Sequence, residues 1–327
     1  MASIEAIGES GKRKKQRSVH HIIPPALKKG DLVGICCPSG YISFEDVQPA
    51  IRKLQEWGYE TRVGSTVGLK EFTMAGSDDQ RAVDLQNMLD NPAIKAILFG
   101  RGGYGAVRII DKLNFRKFQA HPKWLIGFSD VTLFHTHLSN FGIASIHSKM
   151  CNSFPADWNT AEFSQIESIE SIRKCIAGER ISYSVAANIN NRQGTGEGIL
   201  IGGNLSLLQN VVSTTSDFDT DGKILFIEEV DEYLYSIDRM LWNLKRSGKL
   251  KRLKGLMIGG FNRLKADDPG EEFGHSIYEM VMEKVKEHKY PVCFDFPVGH
   301  QKYNVALKCG VKHKLQVSPS LVTLEVV

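Results

Sequence analysis

No stretch of these 327 residues approaches the roughly 18 consecutive apolar positions that a membrane-spanning helix needs. The first 24 residues lack the apolar run of a secretory signal, so the chain is expected in the cytoplasm, away from any membrane. CxxC and HExxH are both absent, and His135 and His137 stand two apart on an expected helix, where they cannot share a face. No metal site is therefore expected. With no disulfide framework either, Cys36, Cys37, Cys151, Cys175, Cys293 and Cys309 read as buried free thiols of a reducing compartment. Excess charge is small. The net charge is +4, and residues 1–24, with five basic side chains against two acidic, hold +3 of it. A nearly neutral folded body excludes a basic nucleic-acid-binding face. Internal repeats and low-complexity tracts are missing as well.

What is present is alternation. Residues 32–36 form a first apolar run, closed by Pro38-Ser39-Gly40, and 44–57 has helical apolar spacing that stops at Gly58. Residues 59–63, 94–99, 124–128 and 143–146 supply four more strands. Between them fall a helix capped by Ser77 and broken at Asn91-Pro92, one running to Leu113, and one over 131–141. This order predicts an α/β fold: a doubly wound parallel sheet of flavodoxin or glutamine-amidotransferase type. A helix over 160–177 and an Asn- and Gly-rich loop over 186–196 lead to a second α/β domain. Its strands are expected near 198–201, 224–227, 256–258 and 292–296, its helices near 205–212, 237–247 and 275–287, with a β-rich end over 305–327. The expected boundaries are a disordered basic tail at 1–24, a first domain at 25–154, a connecting segment at 155–190 and a second domain at 191–327.

Three strand ends carry chemistry. Ser129 lies between an apolar strand and a helix, a turn that holds a serine outward at the sheet edge with the N–H of Asp130 beside it. Val131 stands where G-x-S-x-G would have its second glycine, and a plain helix cap at Ser129 or Asp130 is the competing reading. Glu228 and Glu229 end another apolar strand. One of them is expected to be partly buried and to need a partner; alternation puts them on opposite faces and leaves open which it is. His300 ends a third strand after Pro297-Val298-Gly299, and His147 is a second histidine able to line a cleft. The turn Gly100-Arg101-Gly102-Gly103-Tyr104-Gly105 matches G-x-G-x-x-G, with Asp130 where a ribose-binding acid would sit, so a dinucleotide-binding protein is one alternative. Against it, the turn follows the third strand and carries bulky Arg101 and Tyr104. Its N–H groups facing an oxyanion near Ser129 are the other use.

With these residues assembled, the chain resembles the LD-carboxypeptidase family of serine peptidases, whose best-known members are muramoyltetrapeptide carboxypeptidases. The likeness runs from about residue 32 to about residue 317. It rests on Ala75-Gly76-Ser77-Asp78, the turn 100–105, Gly127-Phe128-Ser129-Asp130, Gly202-Gly203-Asn204-Leu205, Ile227-Glu228-Glu229, Asp238-Arg239 and Gly299-His300 with Asn304. The resemblance implies Ser129 as nucleophile, His300 as general base and acid, and Glu228 as the group orienting it. It implies an oxyanion hole from Asp130 N–H and a glycine of the Gly102-Gly103 pair. Arg101, Tyr104, His147 and Arg239 become substrate-binding candidates. The implied reaction removes the terminal D-amino acid from a muropeptide without cofactor or metal, in a homodimer. An immunity-type peptidase acting on peptide-nucleotide antibiotics is the nearest alternative. Two stretches depart from the family pattern: His147-Ser148-Lys149-Met150 in place of His-Gly-Pro-Met, and Leu307-Lys308-Cys309-Gly310 in place of Leu-Pro-x-Gly.

Overall fold

The structure is a computed structural model that describes residues 21–327. The first half runs β1 (Leu32–Cys36), α1 (Phe44–Glu56), β2 (Glu60–Val63), α2 (Asp78–Asp90), β3 (Ile94–Phe99), α3 (Ala106–Ile109), α4 (Arg116–Ala120), β4 (Trp124–Gly127), α5 (Thr132–Ser139) and β5 (Ser145–His147). Next come α6 (Phe163–Ile176), β6 (Ser182–Ala186), β7 (Gly194–Asn204), α7 (Leu205–Asn210), β8 (Ile224–Val230), α8 (Leu234–Arg246), β9 (Gly255–Asn262) and α9 (Ile277–Lys284). The chain ends with β10 (Val292–Cys293), β11 (Leu307–Cys309), β12 (Lys312–Val317) and β13 (Leu321–Val326).

Local sequence explains the regular pieces. Buried runs such as β3 and β4 suit a parallel sheet covered on both faces. Ser77 caps α2 in a reciprocal capping box with Gln80. The first sheet has the order β2-β1-β3-β4-β5 with all neighbours parallel, the expected doubly wound arrangement. The second has the order β10-β9-β8-β7-β12-β13-β6, parallel from β10 to β7 and antiparallel beyond.

Long-range pairing redraws three expected borders. Residues 22–24, expected in the tail, pack with the first sheet: Ile22 bridges Ile143, and the adjoining Pro25 O accepts from Trp124 Nε1 at 3.0 Å. Residues 1–20 of the expected tail lie outside the described residues. β6, inside the expected connecting segment, is an edge strand of the second sheet, and the loop after it is shorter than expected because β7 begins at Gly194. β11, from the second half, adds antiparallel to β5 and completes the first sheet.

One hydrophobic cluster crosses between the two halves. It joins Phe99, Val131 and Phe134 of the first to Ile201, Leu205, Ile227 and Ile237 of the second, all buried. At the seam Asn204 N donates to Thr132 Oγ1 at 3.0 Å, and a Cβ on Gly203 would lie 2.4 Å from that oxygen. The shared core fixes the ends of β4 and β8 relative to each other. Chemistry that needs groups from both halves is thereby given a rigid frame.

Candidate active site

Ser129 sits just past β4 with φ of +64°, a left-handed conformation uncommon for a residue with a side chain. Such backbone strain costs on the order of 1–3 kcal/mol and persists where the surroundings enforce it. Its effect is to turn the hydroxyl out of the sheet edge. His300 Nε2 lies 3.0 Å from Ser129 Oγ, and His300 Nδ1 lies 2.6 Å from Glu228 Oε2. The same oxygen accepts the His300 backbone N–H at 3.1 Å. An ionised carboxylate only accepts, so Nδ1 carries the proton and Nε2 is free to accept from the serine.

Gly299 makes this approach possible. Its φ is +105°, and a Cβ there would fall 2.5 Å from both Cβ and Oε2 of Glu228. Asn304 Oδ1 holds the same turn by accepting from Gly299 N at 3.0 Å. His300 keeps some solvent contact while Glu228 is sealed from water. The Phe128 ring, 4.8 Å from the imidazole, supplies one apolar wall.

Both acids of β8 are buried, where one partly buried acid was expected. β8 continues to Val230, and its register against β9 shifts between Ile227 and Glu229. Glu229 faces the other way, accepting from Asn204 Nδ2, Ser206 N and Val230 N at 2.7–2.9 Å. Burial pushes its carboxyl up to about 7, against those hydrogen bonds.

The glycine turn comes close to the serine. A Cβ on Gly102 would lie 3.0 Å from Ser129 Cβ and 3.2 Å from its Oγ, and Gly103 has φ of +105°. Gly102 O accepts from Gly40 N at 2.9 Å, tying the turn after β3 to that after β1. The Asp130 side chain is buried and accepts from Ser39 Oγ at 2.5 Å and Ala106 N at 2.8 Å. Its carboxylate thus takes the N–H at the head of α3, where a pyrophosphate would have to bind. That removes the footing of the dinucleotide alternative.

The other candidates scatter. Arg101 and Tyr104 are exposed on the turn, Arg101 Nη1 donating to Tyr41 O at 3.3 Å. His147 does not line the cleft: it is fully buried beside the rings of Phe128, Phe226 and His135, and burial holds its imidazole well below the usual histidine range. Its ring nitrogens have no hydrogen-bond partner among the described residues. Arg239 lies on α8 against Ser236 Oγ and the Tyr235 ring. Sequence reasoning missed Arg81, which is fully buried and donates to Pro38 O and Gly105 O at 2.5 and 2.9 Å, bracing the turns beside Ser129. Its only sequence signal was a place four residues after the Ser77 cap, on the apolar side of α2. Ser39 is a second such residue, sitting in the Pro38-Ser39-Gly40 turn that closes β1. The six cysteines are all buried and free.

A serine, an imidazole and a carboxylate in line across two joined α/β halves define a serine-type hydrolase. The LD-carboxypeptidase N-terminal domain profile matches residues 33–148 and the LD-carboxypeptidase C-terminal domain profile matches 197–315. The chain belongs to the LD-carboxypeptidase family and is a serine-type peptidase. It is 29% identical over 317 residues to a protein described as a probable murein peptide carboxypeptidase from Bacillus subtilis (strain 168), covering 92% of this chain and 94% of that one. The murein tetrapeptide carboxypeptidase of Pseudomonas aeruginosa is 29% identical over 283 residues, covering 85% and 91%. The crystal structure of muramoyltetrapeptide carboxypeptidase from Oxalobacter formigenes superposes with a TM-score of 0.79 at 29% identity, covering 90% and 98%. The microcin C7 self immunity protein MccF shares the fold, with a TM-score of 0.81 at 20% identity over 94% of this chain and 99% of that one.

Proposed function

We propose that this peptidase cleaves the L,D peptide bond before the terminal D-alanine of murein tetrapeptides, with Ser129, His300 and Glu228 as its catalytic residues. The observation that carries this reading is the unbroken line from Ser129 Oγ through the His300 ring to Glu228 Oε2, at 3.0 and 2.6 Å. Ser129 Oγ attacks the scissile carbonyl carbon as its proton passes to His300 Nε2. Glu228 stabilises the imidazolium and fixes its orientation. The N–H of Asp130 and one from the Gly102-Gly103 pair receive the oxyanion; one such donor is worth about 10²–10³ in rate. Collapse breaks the C–N bond, and His300 Nε2 gives its proton to the departing amine. Water then cleaves the acyl-serine by the same relay.

The named relatives support murein peptides as the substrate class. The buried free thiols suit a cytoplasmic setting, and a homodimer is the expected assembly. The test is incubation with tetrapeptides carrying a diaminopimelate or a lysine third residue, with the product identified by mass spectrometry. Release of D-alanine from either is the expected result; release of an internal residue, or none, refutes the assignment.

A further inference from the structure

Cleavage of a terminal residue, the reading on which this inference rests, brings a free carboxylate into the site that must be held. Arg239 engages Ser236 and Tyr235 instead. Lys149 is placed differently. It follows β5, and its Nζ donates at 2.6 Å to the carbonyl of Gln301, the residue after His300. The ammonium lies 5.8 Å from the centre of the Phe128 ring, and the His300 ring lies 4.8 Å from the same ring. Lys149 is therefore tied to the turn that carries His300.

Lys149 forms no ion pair among the described residues, and a single carbonyl takes only one of its three N–H donors. Burial lowers its pKa from the usual lysine value, against the opposing pull of the Glu228 carboxylate. Its side chain lines a cavity of about 450 Å³ with Ser153, Thr160, Glu162, Gln165 and Lys302. Lys302 is paired there with Glu162 at 2.7 Å, so Lys149 is the cation of this cavity left to meet an incoming anion.

The direction of the reaction decides which anion that is. His300 Nε2 protonates the departing nitrogen, so the leaving residue lies on the His300 side of Ser129. Its carboxylate follows its nitrogen by two bonds. We infer that Lys149 holds the C-terminal carboxylate of the leaving residue, and that the cavity beside it receives that residue.

The test compares kcat/KM for a tetrapeptide ending in a free acid with the same peptide ending in an amide, in wild type, Lys149→Met and Lys149→Gln. Melting curves verify that the variants fold, and Gln retains an N–H donor for the Gln301 carbonyl without the charge. A charge-assisted hydrogen bond predicts that wild type prefers the acid by about 10- to 100-fold. Both variants should bring that ratio to within about threefold of unity, acting on the acid more than on the amide. Equal falls on both substrates would make Lys149 only a strut for the His300 turn and overturn the inference, as would a wild type indifferent to the amide. A wild type that releases nothing from the free acid overturns the L,D-peptidase reading and this inference with it. Normal wild-type turnover with an unchanged ratio in the variants overturns the Lys149 assignment alone.

Discussion

Exchanging one oxygen for an amide nitrogen at Glu228 separates the two acids of β8. Glu228 Oε2 accepts from both Nδ1 and the backbone N–H of His300, at 2.6 and 3.1 Å, and no water reaches it. Glu228→Gln has two ways to settle. If its oxygen stays toward His300, a buried NH₂ replaces Oε1, which has no hydrogen-bond partner among the described residues; an unsatisfied group of that kind costs about 1–3 kcal/mol of stability. If the NH₂ turns toward Nδ1, the ring proton must move to Nε2, and the imidazole then offers Ser129 a donor where it needs an acceptor. The second arrangement removes the base. A comparable change in a serine protease lowers kcat by about 10⁴, equivalent to roughly 5.5 kcal/mol of transition-state stabilisation. Glu229→Gln leaves the His300 contacts untouched and disturbs the bonds to Asn204, Ser206 and Val230, so its rate should stay within about tenfold of wild type. The assay is D-alanine release from a tetrapeptide, with circular dichroism to verify folding. A crippled Glu229→Gln beside a near-normal Glu228→Gln would refute the assignment of the orienting acid.

Ser129→Ala should fold normally, relieve no packing, and lose several orders of magnitude in turnover; near-normal turnover in a folded variant would remove the serine mechanism. Gly102→Ala places a methyl 3.2 Å from Ser129 Oγ without demanding a positive φ, so kcat should fall by about 10² or more while the melting temperature moves little, as thermal scans beside kinetics will measure. Glu229 also gives a pH signature. Its carboxyl is raised from the model-peptide value of 4.5 to about 7, so between those values the folded state holds a proton that the unfolded state has lost. That contribution to stability is fully present below pH 4.5 and is lost as pH rises through 7. Melting temperatures from pH 5 to 8 should therefore fall in wild type relative to Glu229→Gln, and parallel curves would contradict the raised value.

Local pieces are legible in residue order alone. Apolar runs, caps and turns placed the five first-domain strands, because burial periodicity and capping chemistry act over a few residues: Ser77 and Asn91-Pro92 bracket α2 within a residue of the expected limits. Residue order also exposed Ser129 and the Glu228-Glu229 pair, since a polar residue at the end of a buried strand is conspicuous; His300, expected at a strand end, lies instead in the loop after β10, which stops at Cys293. Their family resemblance assigned them roles. Which atoms meet depends on long-range packing. The choice between two adjacent acids depends on a register shift in β8 and on a Gly299 turn that only glycine can bring so close. β11 completing the first sheet, β6 joining the second and Ile22 pairing with Ile143 are contacts between distant segments, and no local pattern encodes them. The same holds for His147, which looked like a cleft residue at its strand end and is buried because Phe226 of the other half packs over it, and for Lys149, whose partner lies 152 positions away. Short-range propensity fixes where a strand ends; only long-range packing fixes what its last side chain faces.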